Sequence, residues 1–513
     1  MPHIAIVGAG LSGLVTAKTL LEDGHDVTVF EKEDEVGGVW TRSRRYPGIA
    51  TQNPRDTYAF SDFPMPPLYP DWPSGEQVQA YLAAYADRFG VTPRLRLGTR
   101  VDEAAPRADG GWRLRTTVVA GPEAGRSETV EADWLVVCNG VFSEPFVPEV
   151  AGREAFEAAG GRVLHTTEVR DAADFDGGRV VVVGFAKSAA DVACALVDRA
   201  ARTTLLFRRA QWKMPRRFFG FLHLKYVLTT RFSESLFRYR RLRGFERVLH
   251  TAGRPLVWLL WRGIERALRR GFSLDHSRLV PDDPIERVVG CNLSLASGGF
   301  YENVRDGRLR TRRGEIRRLV PGAVELEGGG RIEADAVVFG TGFRQSVPFL
   351  GEEVRSRIVG ADGEFRLHRN ILPLDVPRLA FVGYNSSLYS QLTSEVGARW
   401  LAEHVRGAVP LPPREEMARE IEERWAWLKA ERSNGLASGT CIVPFTFHYL
   451  NDLLGDLGAR TWRTRNRLRE YLMPVDPSIY ADLRQEIEAR RRARPSAPHE
   501  PALAREVAAG REE

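Results

Sequence analysis

The sequence predicts an α/β protein made of two dinucleotide-binding Rossmann-like domains, the second inserted in the first, followed by a helical C-terminal extension. Two glycine-rich turns carry this expectation. Gly8-Ala9-Gly10-Leu11-Ser12-Gly13 follows the apolar run from Ile4 to Val7, and Gly184-Phe185-Ala186-Lys187-Ser188-Ala189 follows Val180 to Val183; each opens a helix-like stretch. Strand and helix patterns alternate around both turns, as parallel sheets crossed by helices require. A third observation is the apolar run Ala336 to Phe339 with its own glycine turn, Gly340-Thr341-Gly342, which reads as the return of the chain to its first domain.

The elements follow in order. Ile4 to Val7 reads as a buried strand, Leu11 to Asp23 as a helix ended by Gly24, and Val27 to Phe30 as the next strand. Pro, Asp and aromatic residues crowd Tyr46 to Trp72, which predicts loop and short turns. From Leu95 to Val137 apolar and polar residues alternate, broken at Gly110-Gly111 and Gly121-Pro122, the pattern of a small antiparallel sheet that ends in a buried strand. The expected division is residues 1–150 for the first part of the first dinucleotide domain and 151–325 for the second domain, which carries a basic, aromatic helical insertion at about 210–275. Residues 326–400 form the return segment, 401–488 a helical extension with amphipathic pieces such as Glu415 to Leu428, and 489–513 a disordered tail.

A chain of 513 residues has room for roughly three units and a sizeable core. It is 43% hydrophobic and 27% charged, and no run of about 18 apolar residues could span a bilayer. The first strand begins at Ile4, leaving no room for a secretory signal, so the cytoplasm is the expected location. Cys138, Cys194, Cys291 and Cys441 are scattered without a CxxC pair, which predicts buried free thiols and excludes a redox-active dithiol. No Ser-His-Asp set, carboxylate pair or metal-spaced histidine cluster stands out, and no metal is expected.

In the first turn Gly8 permits the tight turn, Gly10 lets backbone approach a pyrophosphate, and Gly13 lets helix pack on strand, so phosphate meets a helix N-terminus beside Ser12. Glu31, closing the second strand, is placed to accept hydrogen bonds from ribose hydroxyls and disfavours a 2′-phosphate. Two dinucleotides in one chain point to electrons passing between bound carriers, that is, to a flavin- and nicotinamide-dependent oxidoreductase. Gly37-Gly38-Val39-Trp40 then follows the acid at short range. With Phe60-Ser61-Asp62-Phe63-Pro64, Cys138-Asn139-Gly140, the second glycine turn, Phe339-Gly340-Thr341-Gly342-Phe343 and Ser394-Glu395-Val396-Gly397-Ala398-Arg399-Trp400, it resembles the class B flavin monooxygenases, segment by segment from residue 1 to about 400.

The resemblance implies FAD at the first turn, with Gly38, Val39, Trp40, Thr341 and Gly342 as further contacts, and NADPH at the second. There Ala186 replaces the central glycine, Lys187 adds a cation beside Ser188 and Ala189, and Arg208-Arg209 occupy the place held by Glu31 in the first unit, which suits a 2′-phosphate; Lys213 is a further candidate cation. The mechanism implied is hydride transfer from NADPH to FAD, addition of molecular oxygen at flavin C4a, and attack of a small nucleophilic substrate on the resulting hydroperoxyflavin. Of the family's FxGxxxH fingerprint, Gly161 and His165 keep their spacing, Phe156 stands three residues too far upstream, and Val169-Arg170 replace the ending of the Baeyer-Villiger form. The structural role is expected of His165.

Counting back from the Phe60 segment places Gln52 where N- and S-oxygenating relatives have Asn and Baeyer-Villiger relatives have Asp; a one-residue slip places Asn53 there. The amide favours oxygenation of nitrogen or sulfur. Baeyer-Villiger oxygenation of a ketone is the alternative, supported by Tyr46-Pro47-Gly48, and a non-oxygenating flavin-binding redox protein is a third reading, prompted by Ala186 and Phe156. The stretch from Arg208 to Arg270 interleaves arginines with aromatics. It reads as a lid over the substrate channel or plain helical packing ahead of contact with anionic lipid, and a nucleic-acid partner is not expected because no stacking platform accompanies it.

Overall fold

The computed structural model describes residues 1–288, 294–431, 439–443 and 445–493. Five parallel strands form the first sheet, in the order Leu379–Phe381, Trp134–Val137, His3–Val7, Asp26–Phe30 and Leu95–Arg96. Side chains alternate across it as a strand's period of two demands. Ile4, Ile6, Val27 and Val29 face one core with the helices Leu11–Glu22, Gly75–Arg88 and Ser390–Val405, whereas Ala5, Val7 and Phe30 face another with Trp112 and Leu114 of the antiparallel sheet Thr99–Pro106, Trp112–Val118, Ser127–Ala132. The helix at the first turn is buried on nearly all sides, which explains why its sequence, LSGLVTAKTLLE, lacks a polar face.

The second sheet is also five parallel strands, Leu309–Arg313, Arg202–Phe207, Arg179–Val183, Ala336–Phe339 and Arg162–His165. Val180 and Val182 pack on the helix Lys187–Leu196, and Val181 and Val337 pack on Phe156 and a three-stranded sheet. Ala336–Phe339 corrects the expected boundary at 325. It pairs with Arg179–Val183 and belongs to the second unit; the chain re-enters the first sheet only at Leu379–Phe381. An apolar run and a glycine turn look alike in either sheet, and only the pairing register tells them apart.

The insertion opens with the β-hairpin Arg217–Phe218, Leu222–His223, so the expected helical character begins only at Lys225–Leu228 and becomes extended only in Arg254–Gly271. The hairpin docks on the Tyr46 to Trp72 loop, where the Trp72 and His223 rings stack at 4.9 Å. Beyond residue 401 the extension contains the helices Arg414–Ala430, Thr446–Asp456 and Leu483–Ala493. The last helix runs past Ala489, where a disordered tail was expected to begin; residues 494–513 lie outside the described residues. Among the described residues no helix is long and apolar enough to cross a membrane. Cys138 and Cys194 are free thiols that burial pushes up to about 12. Cys441 is disulfide-bonded, which corrects the expectation of free thiols at that position; Cys291 lies outside the described residues.

Two cations, Arg231 buried and His448 half-buried, fasten the insertion to the extension. Arg231 lies between the rings of Phe447 and Trp462 and binds Glu470 at 3.1 Å. His448 places Nδ1 2.6 Å from Glu234 and Nε2 2.9 Å from Glu246, so both ring nitrogens must carry protons. Burial opposes that charge, yet the two carboxylates win and raise the imidazole from its ordinary 6.5 to about 9. A raised histidine stabilises the fold fully below about pH 6.5 and loses that contribution as pH rises through about 9. We therefore expect the melting temperature to fall between pH 7 and 10, by up to about 3 kcal/mol of stability, and to fall much less steeply in His448→Gln; thermal unfolding across that range is the measurement.

Candidate active site

At the first turn Gly8 adopts φ +108°, and a Cβ there would lie 2.6 Å from the Cys138 carbonyl oxygen. Gly13 is excluded from having a side chain even more firmly, since its Cβ would meet the Gly8 carbonyl oxygen at 1.8 Å. Gly10 has ordinary extended backbone, φ −76° and ψ −174°, so its glycine serves space and not conformation. A Cβ on Gly10 would approach the Gly38 Cα at 3.4 Å, and one on Gly38, itself at φ +62°, would approach the Gly10 Cα at 3.1 Å. Two bare backbones thus face each other across a groove.

The groove is part of a cleft of about 340 Å³. Gly8, Gly10, Ser12, Glu31, Gly38, Val39 and Trp40 all reach its wall, whereas Gly13 packs behind it. Glu31 is buried; Oε2 accepts from the Ala9 N–H at 2.7 Å and Oε1 from the Glu33 N–H at 3.0 Å. Burial raises its pKa, and the two amide bonds pull against that shift. The acid therefore also grips the turn that it serves. Ser12 Oγ lies 2.9 Å from Ser394 Oγ and under Gly383, where a Cβ would come within 2.2 Å of it. The neighbouring Glu395 is half-buried, accepts from Ser61 N–H at 2.9 Å and from its hydroxyl, and is raised to about 7 by desolvation of its carboxyl. Two of the segments noticed in the sequence are locked together here.

Sequence reasoning missed Arg44, Asn139 and Ser346 as wall residues. Arg44 donates to the Phe142 carbonyl at 2.5 Å, and burial lowers its pKa despite Glu33 and Glu31. Asn139 donates to the Ser346 carbonyl at 2.7 Å and accepts from Tyr384. Arg44 sits in a loop without periodicity and gave no signal; Asn139 was visible only as part of its Cys-Asn-Gly segment.

The second turn repeats the first. Gly184 has φ +123° and would meet the Gly340 carbonyl oxygen at 2.4 Å, the counterpart of Gly8 against Cys138. Ala186 has φ −69° and ψ −176°, nearly the backbone of Gly10, so the replacement adds a methyl without bending the turn. Ala189 fills the place of Gly13, and the closeness is met by Gly340, whose Cβ would lie 2.6 Å from that of Ala189. Lys187 is not free: it pairs with Asp191, which also accepts from Ser297 at 2.5 Å and from the Tyr46 hydroxyl at 3.3 Å. Ser188 sits in the first turn of the helix, and Arg208 and Arg209 are exposed beyond the next strand.

Four expectations change. Lys213 is 1% exposed and donates to the Phe185 carbonyl at 2.8 Å and to Ser294 at 3.2 Å; burial lowers it to about 7, so it braces the turn from beneath instead of meeting a phosphate. Thr341 and Gly342 do not reach the cleft wall; Thr341 donates to the Phe146 carbonyl, and the Gly342 carbonyl accepts from Phe146 N–H. The Gly342 carbonyl also meets His165 Nε2 at 3.1 Å, while Nδ1 accepts from the Thr167 amide, which fixes the proton on Nε2 and gives His165 the structural role expected. Neither Asn53 nor Gln52 is part of the cleft wall: Asn53 is buried and donates to the Leu388 carbonyl at 2.6 Å, and Gln52 is half-buried and accepts from the Leu295 N–H of the second unit at 3.2 Å. Phe156, out of place in the sequence, is in place in space: its ring would lie 2.3 Å from a Cβ on Gly161.

Two Rossmann-like seats, joined by the Tyr46–Asp191 and Gln52–Leu295 hydrogen bonds, define an oxidoreductase that moves electrons between two dinucleotides. The flavin-binding monooxygenase-like family model matches residues 1–247 and 304–461. The chain belongs to that family. It is 28% identical to a probable flavin-containing monooxygenase 1 of Arabidopsis thaliana, over 93% of this chain and 96% of the relative, and 28% identical to dimethylaniline monooxygenase (N-oxide-forming) 2 of Rattus norvegicus, over 89% and 83%. The solved structure of oxidized steroid monooxygenase bound to NADP superposes with a TM-score of 0.66 at 20% identity, over 90% of this chain and 98% of that one. The protein is an NADPH-dependent flavin monooxygenase with FAD and NADPH as cofactors, and the reading as a non-oxygenating redox protein is set aside.

The first seat fits FAD. The bare Gly10–Gly38 contact leaves the turn's amide groups uncovered by side chains, and the helix N-terminus and Glu31 supply the two recognition chemistries. Gly10→Val should purify without yellow colour while keeping its fold, whereas Gly13→Ala should lose about 3 kcal/mol or more of stability through overpacking; the 450 nm absorbance and thermal unfolding separate the two.

Proposed function

We propose that this enzyme oxygenates a nucleophilic nitrogen or sulfur of a small organic substrate. The single observation behind the reading is the orientation of Gln52. Its Oε1 is taken by the Leu295 amide, and among the described residues its Nε2 has no hydrogen-bond partner, so the side chain is held as a donor. At the boundary of the two units such a donor can hold bound nicotinamide or an oxygen atom without adding negative charge. The similarity to the rat N-oxide-forming dimethylaniline monooxygenase supports the same branch.

Bound FAD, reduced by NADPH, supplies activation of molecular oxygen. The protein's part is to bind, orient and exclude water. Glu31 takes the adenosine ribose at the first seat; Lys187 stands beside the pyrophosphate position of the second, and Arg208 with Arg209 offers the 2′-phosphate two exposed cations. Tyr46 and Gln52 hold the loop of the first unit on Asp191 and Leu295 of the second, which keeps the two rings' seats in register. No side chain is needed as a base, because the substrate itself is the nucleophile. The Tyr46-Pro47-Gly48 loop is the one feature that favours the second reading, Baeyer-Villiger oxygenation of a ketone.

Aerobic NADPH consumption by the purified yellow protein across amines, sulfides and ketones should yield N-oxides or sulfoxides as the main products, identified by mass; esters or lactones as the main products would overturn the reading. Gln52→Asp should lower kcat by about 100-fold, the scale of a lost donor at a reacting centre, and unchanged turnover would remove its role. Arg208→Ala with Arg209→Ala should weaken the preference for NADPH over NADH about tenfold, read as the ratio of the two kcat/KM values.

A further inference from the structure

A second cavity, of about 290 Å³, opens between the amphipathic helix Arg254–Gly271 and the extension helix Arg414–Ala430. Its volume equals that of about ten waters at roughly 30 Å³ each. The floor is aromatic and aliphatic: Phe237, Val257 and Trp261 are buried beneath Trp258, Trp427 and Phe445. The mouth is different. Arg238, Arg254 and Arg287 stand there exposed, and among the described residues none of the three has a carboxylate partner. Of the two acids on the rim, Glu286 is already engaged by Arg262, which leaves Glu431 alone against three cations. His250 is committed to the Ser235 carbonyl at 2.9 Å.

Trp427, Leu428, Val443 and Phe445 also wall a smaller inner chamber of about 50 Å³, where Arg240 and Arg369 face Glu420, Asp452 and Asp456 at 2.7 to 3.8 Å. Those charges are matched, whereas Arg424, which also lines the chamber, donates to the Asn370 side-chain oxygen and has no carboxylate partner among the described residues. The inner chamber reaches Asn385, and Asn385 also lines the dinucleotide cleft. Surface cavity, inner chamber and cleft therefore share walls in sequence, and among the described residues three exposed arginines without a carboxylate partner gather at the outer end.

We propose that the outer cavity is the entry subsite for the substrate and that it selects an apolar organic acid, whose carboxylate stays at the arginine mouth while its apolar body points inward past Phe445. A single surface ion pair adds little, but three unpaired cations around an apolar floor attract an anion whose body is desolvated on binding. The route to the flavin rests on the oxygenase reading above; the binding preference does not. A neutral amphiphile fits the floor and leaves the mouth unsatisfied.

The test titrates the FAD-replete protein with 4-(methylthio)benzoate and with thioanisole, followed by calorimetry and by the fluorescence of Trp258 and its neighbours. The carboxylate should bind about tenfold more tightly than the neutral sulfide at low salt, and the advantage should shrink at about 0.5 M salt, where screening reaches roughly 4 Å. Arg254→Glu and Arg287→Glu, both exposed and unpaired, should each remove the advantage while leaving thioanisole affinity and the flavin spectrum unchanged. Equal binding of the two ligands by the wild type, or an undiminished carboxylate preference in both variants, overturns the proposal. Sulfoxidation of thioanisole without any carboxylate preference also overturns it and leaves the oxygenase reading standing; carboxylate preference with no oxygenation of either compound supports this subsite and removes that reading.

Discussion

The approach of one bare backbone to another sets the terms for the rest of this molecule. Gly10 and Gly38 lie in backbone contact, and Gly8 is pressed on the Cys138 carbonyl by the same turn. The strand order around His3–Val7 puts the two loops there, and the Glu31 carboxylate holds the turn by the Ala9 amide. A dinucleotide phosphate needs unshielded N–H groups at a helix start, and side chains at these positions would occupy the space. The price is a buried carboxylate whose pKa is raised by desolvation and held partly in check by its two amide bonds.

The second seat shows which parts of that design are obligatory. Gly184 keeps the positive φ and the close carbonyl, whereas Ala186 keeps only the backbone conformation. Conformation and clearance are separate demands, and the second seat relaxes clearance alone. Its electrostatics also differ: Lys187 is shared with Asp191, and Asp191 reaches the Tyr46 hydroxyl of the first unit. The cation nearest the second seat is thus wired to the loop beside Gln52, so the two units are held in register by polar contacts at their common boundary.

Around this frame the insertion and the extension form a single cover. Neither buries its charged groups alone; His448 needs Glu234 and Glu246, and Arg231 needs Glu470 with Phe447 and Trp462. Buried ion pairs of this kind are costly to break because one partner is left charged and dry. Their placement ties the cover down near the dinucleotide cleft while the amphipathic helix stays outermost, with Leu256, Leu259 and Leu260 exposed. The apolar cavity beneath that helix follows from the same arrangement.

The amino-acid sequence by itself determined the two turns, the acid at Glu31 and the family segments, because each depends on a residue type at short spacing: a glycine where a Cβ cannot fit, an acid at a strand end. It also marked Gln52 as an amide. It could not place Ala336–Phe339, because an apolar strand reads alike in either sheet and register is a property of pairing. Lys213 looked like a phosphate ligand for a similar reason, its charge being visible and its burial beneath Phe185 not. Phe156 looked misplaced until a short helix carried its ring onto Gly161. The tertiary structure alone decided which half of the Gln52 amide faces the second unit and which arginines of the insertion stay unpaired, since both depend on partners far away along the chain.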